Sequence, residues 1–464
     1  MTRTARCVFI VAMAMAPGLG AAMPLEEAVR LAALRDPVVA ALQQDVAQQE
    51  TNIEIIRDGQ RPRFSVNVGR ATSLGSDPTL ATERNIGSEL VVSQLLFDWG
   101  KVSAQIEGAN DDRVQIVSDL KKQLESVIFS IAGLYLDAET AKAKLQATDE
   151  YRKNAVKLSE MTQDRAQGGL GDVSETARAK LEISRAQERQ QTFESNRDVA
   201  LDQLNLLVGV SGISTQKVPE LAYGQHVGTS GTLAQSIEGA PDYLKSHAAM
   251  DSARTGIDVA KAATKPALRV EAAGHPGFSG GGRTSGSLGL VLGVDLGVSD
   301  LYGRQAQAAE QKYEGARKRL EGVERDLKNQ TQSYARQLKT LAASEAAFRL
   351  QVDEARSVVA TYEDQFTAGL RNMTDLFTSI QELYSTQLSW IDTIDQLRRT
   401  EYKAAQALGL QGTLLQERTG MSLPDVPAFL SAEQAPQPVR QPTAPFDDPG
   451  HYAKLPFNSR EVTP

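Results

Sequence analysis

The residue types that most often perform catalysis or bind metals are few in this sequence and widely scattered. The four histidines lack the spacing of metal ligands: His226, His247, His275 and His451. Cys7 is the only cysteine, so the chain offers neither a disulfide nor a cysteine-ligated metal site. The glycine-rich segment 280–283 lacks the Lys-Ser/Thr pair of a phosphate-binding loop. The sequence therefore predicts a protein that is not an enzyme and that holds no metal or cofactor.

Two polar residues, 200 positions apart, have side chains that can cap the amino terminus of a helix. Asp172 and Asn372 each follow a glycine-containing segment and suit the N-cap of a helix. Glu175 and Asp375 come three residues later, as in a capping box or its shorter analogue. Helix capping is therefore the local role expected for these residues. A second, functional role is compatible with capping and depends on what the helices surround.

Charge narrows the range of partners. The 464-residue chain has a formal net charge of −8 and a pI of about 5.3, and it contains no basic block. Nucleic acids select clustered Lys and Arg, so no nucleic-acid partner is expected. A polybasic anchor to a membrane surface is not expected for the same reason.

Residues 1–22 are interpreted as a signal peptide that exports the chain. Arg3 and Arg6 precede an apolar segment of residues 7–19, and Gly20-Ala21-Ala22 suits cleavage before Met23. Cys7 lies inside the apolar segment and not at the cleavage point, so no lipid anchor on the mature amino terminus is expected. No other segment is apolar for 18 residues, which leaves a soluble protein or a β-barrel.

A set of sequence landmarks occurs twice in the same order, at an offset that falls from 204 to 200 residues. The matching pairs are Pro37 and Pro241, Arg61-Pro62 and Lys265-Pro266, Gly100-Lys101 and Gly303-Arg304, Gly169-Leu170 and Gly369-Leu370, and Val208-Gly209 and Leu408-Gly409. The period is far longer than that of a solenoid repeat. We therefore predict a duplicated α-β-β-α-α unit, with repeats at 23–222 and 223–412.

Each repeat is predicted to contain a helix, a β-hairpin, a long helix and a shorter helix. In the first repeat these are Leu25 to Gln60, 63–96, 101–167 and 172–208. In the second repeat the hairpin spans 267–298, and the two helices that follow span 305–368 and 372–408. The remaining segment, 413–464, is rich in proline and is expected to be a disordered tail.

The strand near residue 290 carries the strongest alternation in the chain. Its apolar positions share one face: Leu288, Leu290, Leu292, Val294, Leu296 and Val298. The other face carries mainly small residues, among them Gly289, Gly293 and Gly297. Lipid outside and water inside would produce this pattern in a membrane barrel, whereas a soluble sandwich needs more strands than two distant hairpins provide.

Four strands cannot close a membrane barrel, because the smallest such barrels use eight. Open strand edges in hydrocarbon leave backbone groups unpaired, so the chain is expected to associate with copies of itself. A dimer would supply eight strands and a filled interior, and a trimer twelve strands and an open lumen. The inner glycines favour the trimer, although closure alone also permits larger rings.

The junction between the first hairpin and its long helix resembles that of TolC-like outer-membrane efflux proteins. It reads Ser93-Gln94-Leu95-Leu96-Phe97-Asp98-Trp99-Gly100-Lys101. Leu25-Glu26-Glu27-Ala28-Val29, Pro37 and the two Gly-Leu turns carry the same resemblance, which covers roughly residues 24–412. It implies a mainly α-helical homotrimer: a 12-stranded β-barrel in the outer membrane that continues into a long periplasmic α-helical barrel. It also implies a periplasmic adaptor and an inner-membrane pump as partners.

The same resemblance implies that the two helical turns form the periplasmic entrance. The turns are Gly169-Leu170 and Gly369-Leu370. On the second turn Arg371 and Asp375 match an Arg and an Asp that restrain and line the closed entrance, and on the first turn Ser174-Glu175 matches a Thr-Asp pair. Thr378 stands where the family prototype has a second acidic residue, so a double acidic ring is not expected here. Under threefold symmetry Asp375 would form a ring of three carboxylates that favours cations.

Phe97 and Trp99 end a strand where an interfacial aromatic girdle would lie. Packing at the barrel-to-helix junction is the alternative for both side chains.

The sequence thus favours a passive exit duct, driven by an ABC or a proton-driven pump. The missing lipid-anchor cysteine slightly favours type I protein secretion, with small-molecule or multidrug efflux as the alternative. A structural periplasmic coiled coil or adhesin would instead show sustained heptads and no lipid-facing strand.

Overall fold

The computed structural model describes residues 22–70, 86–168, 173–226, 230–275, 285–294, 297 and 303–419. These residues belong to one structural unit of the chain, which runs to residue 424. The helices are α1 (Leu25–Arg35), α2 (Pro37–Asp58), α3 (Lys101–Gln167), α4 (Val173–Val208), α5 (Tyr223–His226), α6 (Ser230–Glu238), α7 (Pro241–Ala263), α8 (Arg304–Thr367), α9 (Met373–Leu408) and α10 (Gln411–Thr419). The strands are β1 (Arg63–Arg70), β2 (Ile86–Phe97), β3 (Ala267–His275) and β4 (Ser285–Gly293).

Two long helices organise the fold. Helix α3 has 67 residues and α8 has 64, and both are rich in Ala, Leu, Gln, Glu and Lys, which favour helix. Each begins directly after a glycine in the left-handed conformation, Gly100 or Gly303. Helices α2 and α4 pack against α3, α7 packs against α3 and α8, and α9 packs against α8 and α3. A helix of 67 residues is roughly 100 Å long, so α3 extends from the β-sheet to the carboxyl end of α8, where Arg165 contacts Phe366.

The prediction of one helix from Leu25 to Gln60 is wrong. The segment forms two helices, because Pro37 has no amide hydrogen and forces the preceding residue out of the helical conformation. Asp36 has φ −66° and ψ 119°, and its carboxylate accepts hydrogen bonds from the amides of Val38 and Val39 at 2.8 and 2.9 Å. The break is therefore a capped helix start.

The four described strands form one antiparallel sheet in the order β1-β2-β3-β4. Each hairpin pairs internally, and β2 pairs with β3 to join the two hairpins. Val66 lies opposite Leu90, and Val270 lies opposite Leu290. Because β1 and β4 are the outer strands, each has one edge without a partner among the described strands.

The pairing of β2 with β3 contains a β-bulge close to the end of β2. Leu95 is paired with Arg269, but the next pair joins Phe97 to Leu268, so Leu96 is the extra residue. The bulge moves Phe97 onto the face that carries Leu268.

Buried side chains form two cores along the helices. The first core joins α1, α3, α9 and α10, and its fully buried aromatic residues include Tyr135 and Tyr402. The second core joins α3, α4, α8 and α9 nearer the turns, where Tyr151 stacks on Tyr384 with 4.5 Å between ring centroids. The Tyr151 hydroxyl donates to Glu182 at 2.7 Å.

Three short helices, α5, α6 and α10, were not predicted from the sequence. Helix α10 runs to Thr419, so the segment expected to be a disordered tail from residue 413 begins as a helix. Glu125 of α3, which is 5% exposed, caps this helix: its carboxylate accepts from the amides of Gln411 at 3.0 Å and Gly412 at 3.4 Å.

Candidate functional site

The sheet has two faces of opposite character. Apolar side chains with about 70% exposure occupy one face: Phe64 73%, Val66 69%, Val68 70%, Leu288 78%, Leu290 69% and Leu292 67%. Water does not stabilise a continuous apolar surface of this kind, so the face requires a nonpolar environment.

The opposite face carries mainly polar and small side chains, with Val91, Leu95 and Val291 as its apolar members. Across the four strands one row reads Arg63, Ser93, Glu271 and Gly289. Two rows further along this face the Asn67 amide donates to the Glu89 carboxylate at 3.5 Å. Arg63 and Arg269 of this face, with Lys101 of α3, also line an open cavity of about 1450 Å³. A sheet with these two faces can separate lipid from water.

The junction after β2 is fixed by local contacts. The Asp98 carboxylate accepts from the amides of Gly100 at 3.1 Å and Val102 at 2.8 Å, which caps the start of α3. Trp99 has φ 59°, and its indole N–H donates to the carbonyl of Pro266 at 2.9 Å. The Phe97 ring meets Trp99 edge-on at 5.0 Å. Both rings are about half exposed, so the junction holds them at the surface.

The second helical turn has a defined backbone geometry. Gly369 has φ 74°, and the amide of Leu370 donates to the carbonyl of Gln365 at 2.8 Å, which closes the end of α8. The Asn372 side chain accepts from the amide of Asp375 at 2.9 Å and caps α9, as the spacing predicted. Leu370 is 80% exposed at the turn.

Arg371 is held by its own helical hairpin. Its guanidinium lies 3.7 Å from the centre of the Tyr362 ring, and its Nε donates to Gln365 Oε1 at 2.8 Å. Its Nη1 donates to Asp375 Oδ2 at 3.4 Å. The structure therefore brings Arg371 and Asp375 together, at the junction of α8 and α9.

The first turn is described only from residue 173 onward. Gly169, Leu170 and Asp172 lie outside the described residues. Ser174 is exposed and Glu175 is partly buried in the first turn of α4.

Two contacts that the sequence analysis missed connect the ends of the two long helices. The Arg165 guanidinium lies 4.7 Å from the centre of the Phe366 ring and donates to the Phe366 carbonyl at 3.5 Å. Lys157 forms an ion pair with Glu363. Arg165 lies 200 residues before Gln365, which is the repeat offset. The offset relates matching positions and does not by itself predict a contact, so no sequence signal pointed to these two pairs.

In the described part of the chain, no helix is long and apolar enough to cross a membrane. The same residues contain no cluster of three or more side chains suited to hold a metal ion.

Residues 28–210 and 232–410 match the family described as "Outer membrane efflux protein". The chain belongs to this family. The two matched segments correspond to the two halves of the chain, and the resemblance to TolC-like proteins is confirmed.

The outer membrane efflux family match agrees with sequence and structural similarities. The chain is 24% identical over 394 residues to the alkaline protease secretion protein AprF of Pseudomonas aeruginosa, covering 78% of this chain and 80% of AprF. CusC has the same fold with a TM-score of 0.71 and 14% identity, covering 83% of this chain and 92% of CusC. The outer membrane protein VceC of Vibrio cholerae also has this fold, with a TM-score of 0.70 and 14% identity. The match covers 83% of this chain and 96% of VceC.

Outer membrane efflux proteins are non-enzymatic transport channels of the outer membrane with a large periplasmic portion. They act in tripartite systems with an adaptor and an inner-membrane pump. The mainly helical fold, the outer-membrane location and the non-enzymatic nature expected from the sequence are confirmed.

Proposed function

We propose that this chain is the outer-membrane exit duct of a type I protein-secretion system and that it works as a homotrimer. The observation that carries the cargo assignment is the similarity to AprF, a secretion protein for alkaline protease, along 80% of its length. The duct itself is passive, and an inner-membrane ABC pump supplies the energy through a periplasmic adaptor.

The open edges of the sheet support the homotrimer. A four-stranded sheet in lipid leaves the outer edges of β1 and β4 unpaired, which costs several kcal/mol for each unsatisfied backbone group. In a ring of three chains β4 of one chain pairs with β1 of the next, and the twelve strands enclose a lumen. The exposed apolar face lies toward lipid, and the face with Gly289 lies toward water.

Within this duct the helical turns form the periplasmic entrance. Arg371 and Asp375 on the second turn, and Ser174 and Glu175 on the first, line the constriction, and the Gly-Leu pairs form its tips. Three copies of Asp375 give an acidic ring that favours cations. Phe97 and Trp99, half exposed at the base of the sheet, lie in the interfacial girdle.

The proposal also includes two assignments made from the sequence, the signal peptide and the internal duplication. Residues 1–22 form a signal peptide that is removed before Met23. Residues 23–222 and 223–412 derive from one duplicated unit.

Assembly can be tested on protein purified from membranes in mild detergent. We expect a heat-sensitive band at three times the chain mass on denaturing gels, which boiling converts to the monomer. A water-soluble monomer without such a band would contradict the proposal and favour a periplasmic structural protein.

Cargo can be tested separately by deleting the gene in the source bacterium. We expect a specific protein to disappear from the culture medium while drug susceptibility stays unchanged, and affinity purification to recover an adaptor and an ABC pump. Increased drug susceptibility with an unchanged set of secreted proteins would instead support the small-molecule efflux alternative.

A further inference from the structure

A buried carboxylate near the start of α1 has one oxygen without a hydrogen-bond partner in the described part of the chain. Glu26 is 5% exposed, and its Oε1 is buried without a hydrogen-bond partner among the described residues. Its neighbour Glu27 is bonded instead to Arg30. A buried carboxylate is costly unless a cation or several donors compensate it, so a positively charged donor near Glu26 is expected.

The helix start itself cannot supply the missing donor in the usual way. In a capping box the Glu at the third helical position accepts from the backbone amide of the N-cap residue, whereas Glu26 is the second residue of α1. The N-cap of α1 is Pro24, which has no amide hydrogen. The cation must therefore come from outside the helix.

The backbone just before α1 lies in a groove built to hold it. The Met23 nitrogen donates to the Ser214 carbonyl at 2.8 Å, and the Gln216 amide donates to the Met23 carbonyl at 3.4 Å. The fully buried Tyr135 donates its hydroxyl to the carbonyls of Met23 and Pro24 at 3.1 and 3.4 Å. The backbone of Met23 is thus held by two parts of the fold, the segment that follows α4 and helix α3.

Glu26 acts electrostatically on this groove. Burial raises the pKa of the Tyr135 hydroxyl, and the negative charge of Glu26 raises it further. Because that hydroxyl contacts the Met23 carbonyl, the carboxylate and the fixed backbone of Met23 share one small region. Of the two basic side chains on the same helix, Arg30 is paired with Glu27, and Arg35 at the other end donates to the carbonyls of Val208 and Gly209.

We propose that the free amino terminus released by signal-peptide cleavage is the ligand of Glu26. This proposal rests on the proposed cleavage before Met23. Cleavage converts the single N–H donor of Met23 into an ammonium group with three donors and a positive charge. The Ser214 carbonyl keeps one donor, and the Glu26 carboxylate takes the charge. Cleavage of the signal peptide would thereby stabilise the packing of α1 against α3. Only the exported, cleaved chain would then reach full stability.

The test uses full-length protein purified from membranes, whose first residue is determined by mass spectrometry. One variant carries Glu26→Gln. A second keeps Glu26 but has Asn-Thr inserted between Ala22 and Met23, so that the released amino terminus lies two residues away. We expect each variant to lower the thermal unfolding midpoint, followed by circular dichroism, by about 3 °C or more. The combined variant should lie close to either single variant, because both remove the same ion pair.

The matched control is Glu27→Gln, which neutralises the adjacent, more exposed carboxylate and should shift the midpoint by less than about 1 °C. If Glu26 had no compensating cation, Glu26→Gln would raise the thermal unfolding midpoint, because replacing a buried lone charge with an amide stabilises the fold. A raised or unchanged midpoint for Glu26→Gln would therefore overturn the proposal. An insertion without effect, or a first residue other than Met23, would overturn it as well. The heat-sensitive oligomer is monitored in parallel, so failure of this ion pair is distinguishable from failure of the duct.

Discussion

Within the described part of the chain, Arg371 makes three side-chain contacts, and all of them lie in the hairpin formed by α8 and α9. The resemblance to TolC-like proteins implied that this arginine restrains the closed entrance. The geometry shows how one chain contributes to this restraint. The guanidinium contacts Tyr362 and Gln365 on one side of the turn and Asp375 on the other. The restraint on opening would then act by keeping each hairpin tip rigid.

We predict that Arg371→Ala makes the entrance open more often. The ring contact, the hydrogen bond and the ion pair are partly exposed, and together they contribute on the order of 1–2 kcal/mol to the closed turn. A loss of about 1.4 kcal/mol changes the equilibrium about tenfold. Single-channel recording in planar lipid bilayers should therefore show open events roughly ten times more often.

The control for this prediction is Lys339→Ala, which removes one cation from an exposed position in the middle of α8. Equal gating in Arg371→Ala and in this control would show that the arginine does not restrain the entrance.

Trp99 shows how the strand-to-helix junction is held in place. Asp98 caps α3, and the chain then passes through two left-handed residues, with φ 59° at Trp99 and 81° at Gly100. The left-handed conformation is unfavourable for a large side chain. Contacts with Phe97, Lys265 and the Pro266 carbonyl offset that cost.

Trp99→Phe should lower the free energy of unfolding by about 1 kcal/mol, because it removes the indole N–H and leaves the Pro266 carbonyl without its donor. The midpoint of thermal oligomer dissociation, measured on gels, checks this. Trp99→Gly relieves the backbone strain but loses every contact, so we expect it to be less stable than Trp99→Phe. A Trp99→Gly protein more stable than wild type would show that strain outweighs the contacts.

Local sequence spacing predicted some of these residues and not others. The Asn372 cap was predictable because the accepting side chain and the donating amide lie three residues apart. The contact between Arg371 and Tyr362 was not, because the two residues are separated by a reversal of the chain. Their approach depends on the conformation of Gly369, which a sequence pattern does not specify.

At the scale of elements, the sequence was most informative where composition changes sharply. The alternation of β4 and the helix-forming composition of α3 and α8 reflect intrinsic preferences over many residues. Helix α10 was missed because its nine residues have no marked apolar stripe. It is stabilised by a tertiary contact, the capping by Glu125, which lies 286 residues earlier in the chain.

Glu125 makes the attachment of α10 depend on pH. Burial raises the pKa of Glu125 from 4.5 to about 7, although the amides of Gln411 and Gly412 and the charge of Lys121 oppose this shift. A carboxyl group with a raised folded-state pKa favours the folded state at low pH, and this contribution is lost as the pH rises through about 7. Wild-type protein should therefore be less stable at pH 8 than at pH 5 because of this residue.

We predict that Glu125→Gln raises the free energy of unfolding at pH 8 by up to roughly 3 kcal/mol, and at pH 5 by about 1 kcal/mol or less. Glutamine keeps one of the two accepting oxygens, which suffices for the 3.0 Å bond from the Gln411 amide, loses the longer bond from Gly412, and removes the buried charge. Thermal unfolding of both proteins at the two pH values measures the difference. Glu417→Gln, on an exposed part of α10, is the control and should show no such pH dependence. A destabilised Glu125→Gln at pH 8 would mean that the charge itself is needed for capping.

For the whole molecule, one chain contains a four-stranded sheet and two long helices. The outer edges of the sheet have no partner among the described strands. The sequence predicted this combination because alternating strands and uninterrupted helices leave separate patterns. The number of copies was not predictable in the same way. It depends on strand tilt and on contacts between chains, and closure arithmetic only excludes the monomer.

The orientation of the sheet toward lipid can be tested with two adjacent residues. Leu290 is 69% exposed on the apolar face, whereas Gly289 lies on the polar face opposite Glu271. Leu290→Arg places a charge in hydrocarbon, which costs about 2–4 kcal/mol in each chain near the middle of the membrane. We predict that Leu290→Arg largely abolishes the heat-sensitive oligomer in membrane extracts.

Gly289→Arg introduces the same side chain one residue away and is the matched control. A Cβ added at Gly289 meets nothing within 4 Å, and the new cation faces Glu271 across the strands. We therefore expect this variant to assemble at the wild-type level and to conduct less in lipid bilayers, since the arginine narrows the water-filled side. If both arginine variants assembled equally well, the apolar face would not be in contact with lipid. If only Gly289→Arg failed to assemble, the two faces of the sheet would have been assigned the wrong way round.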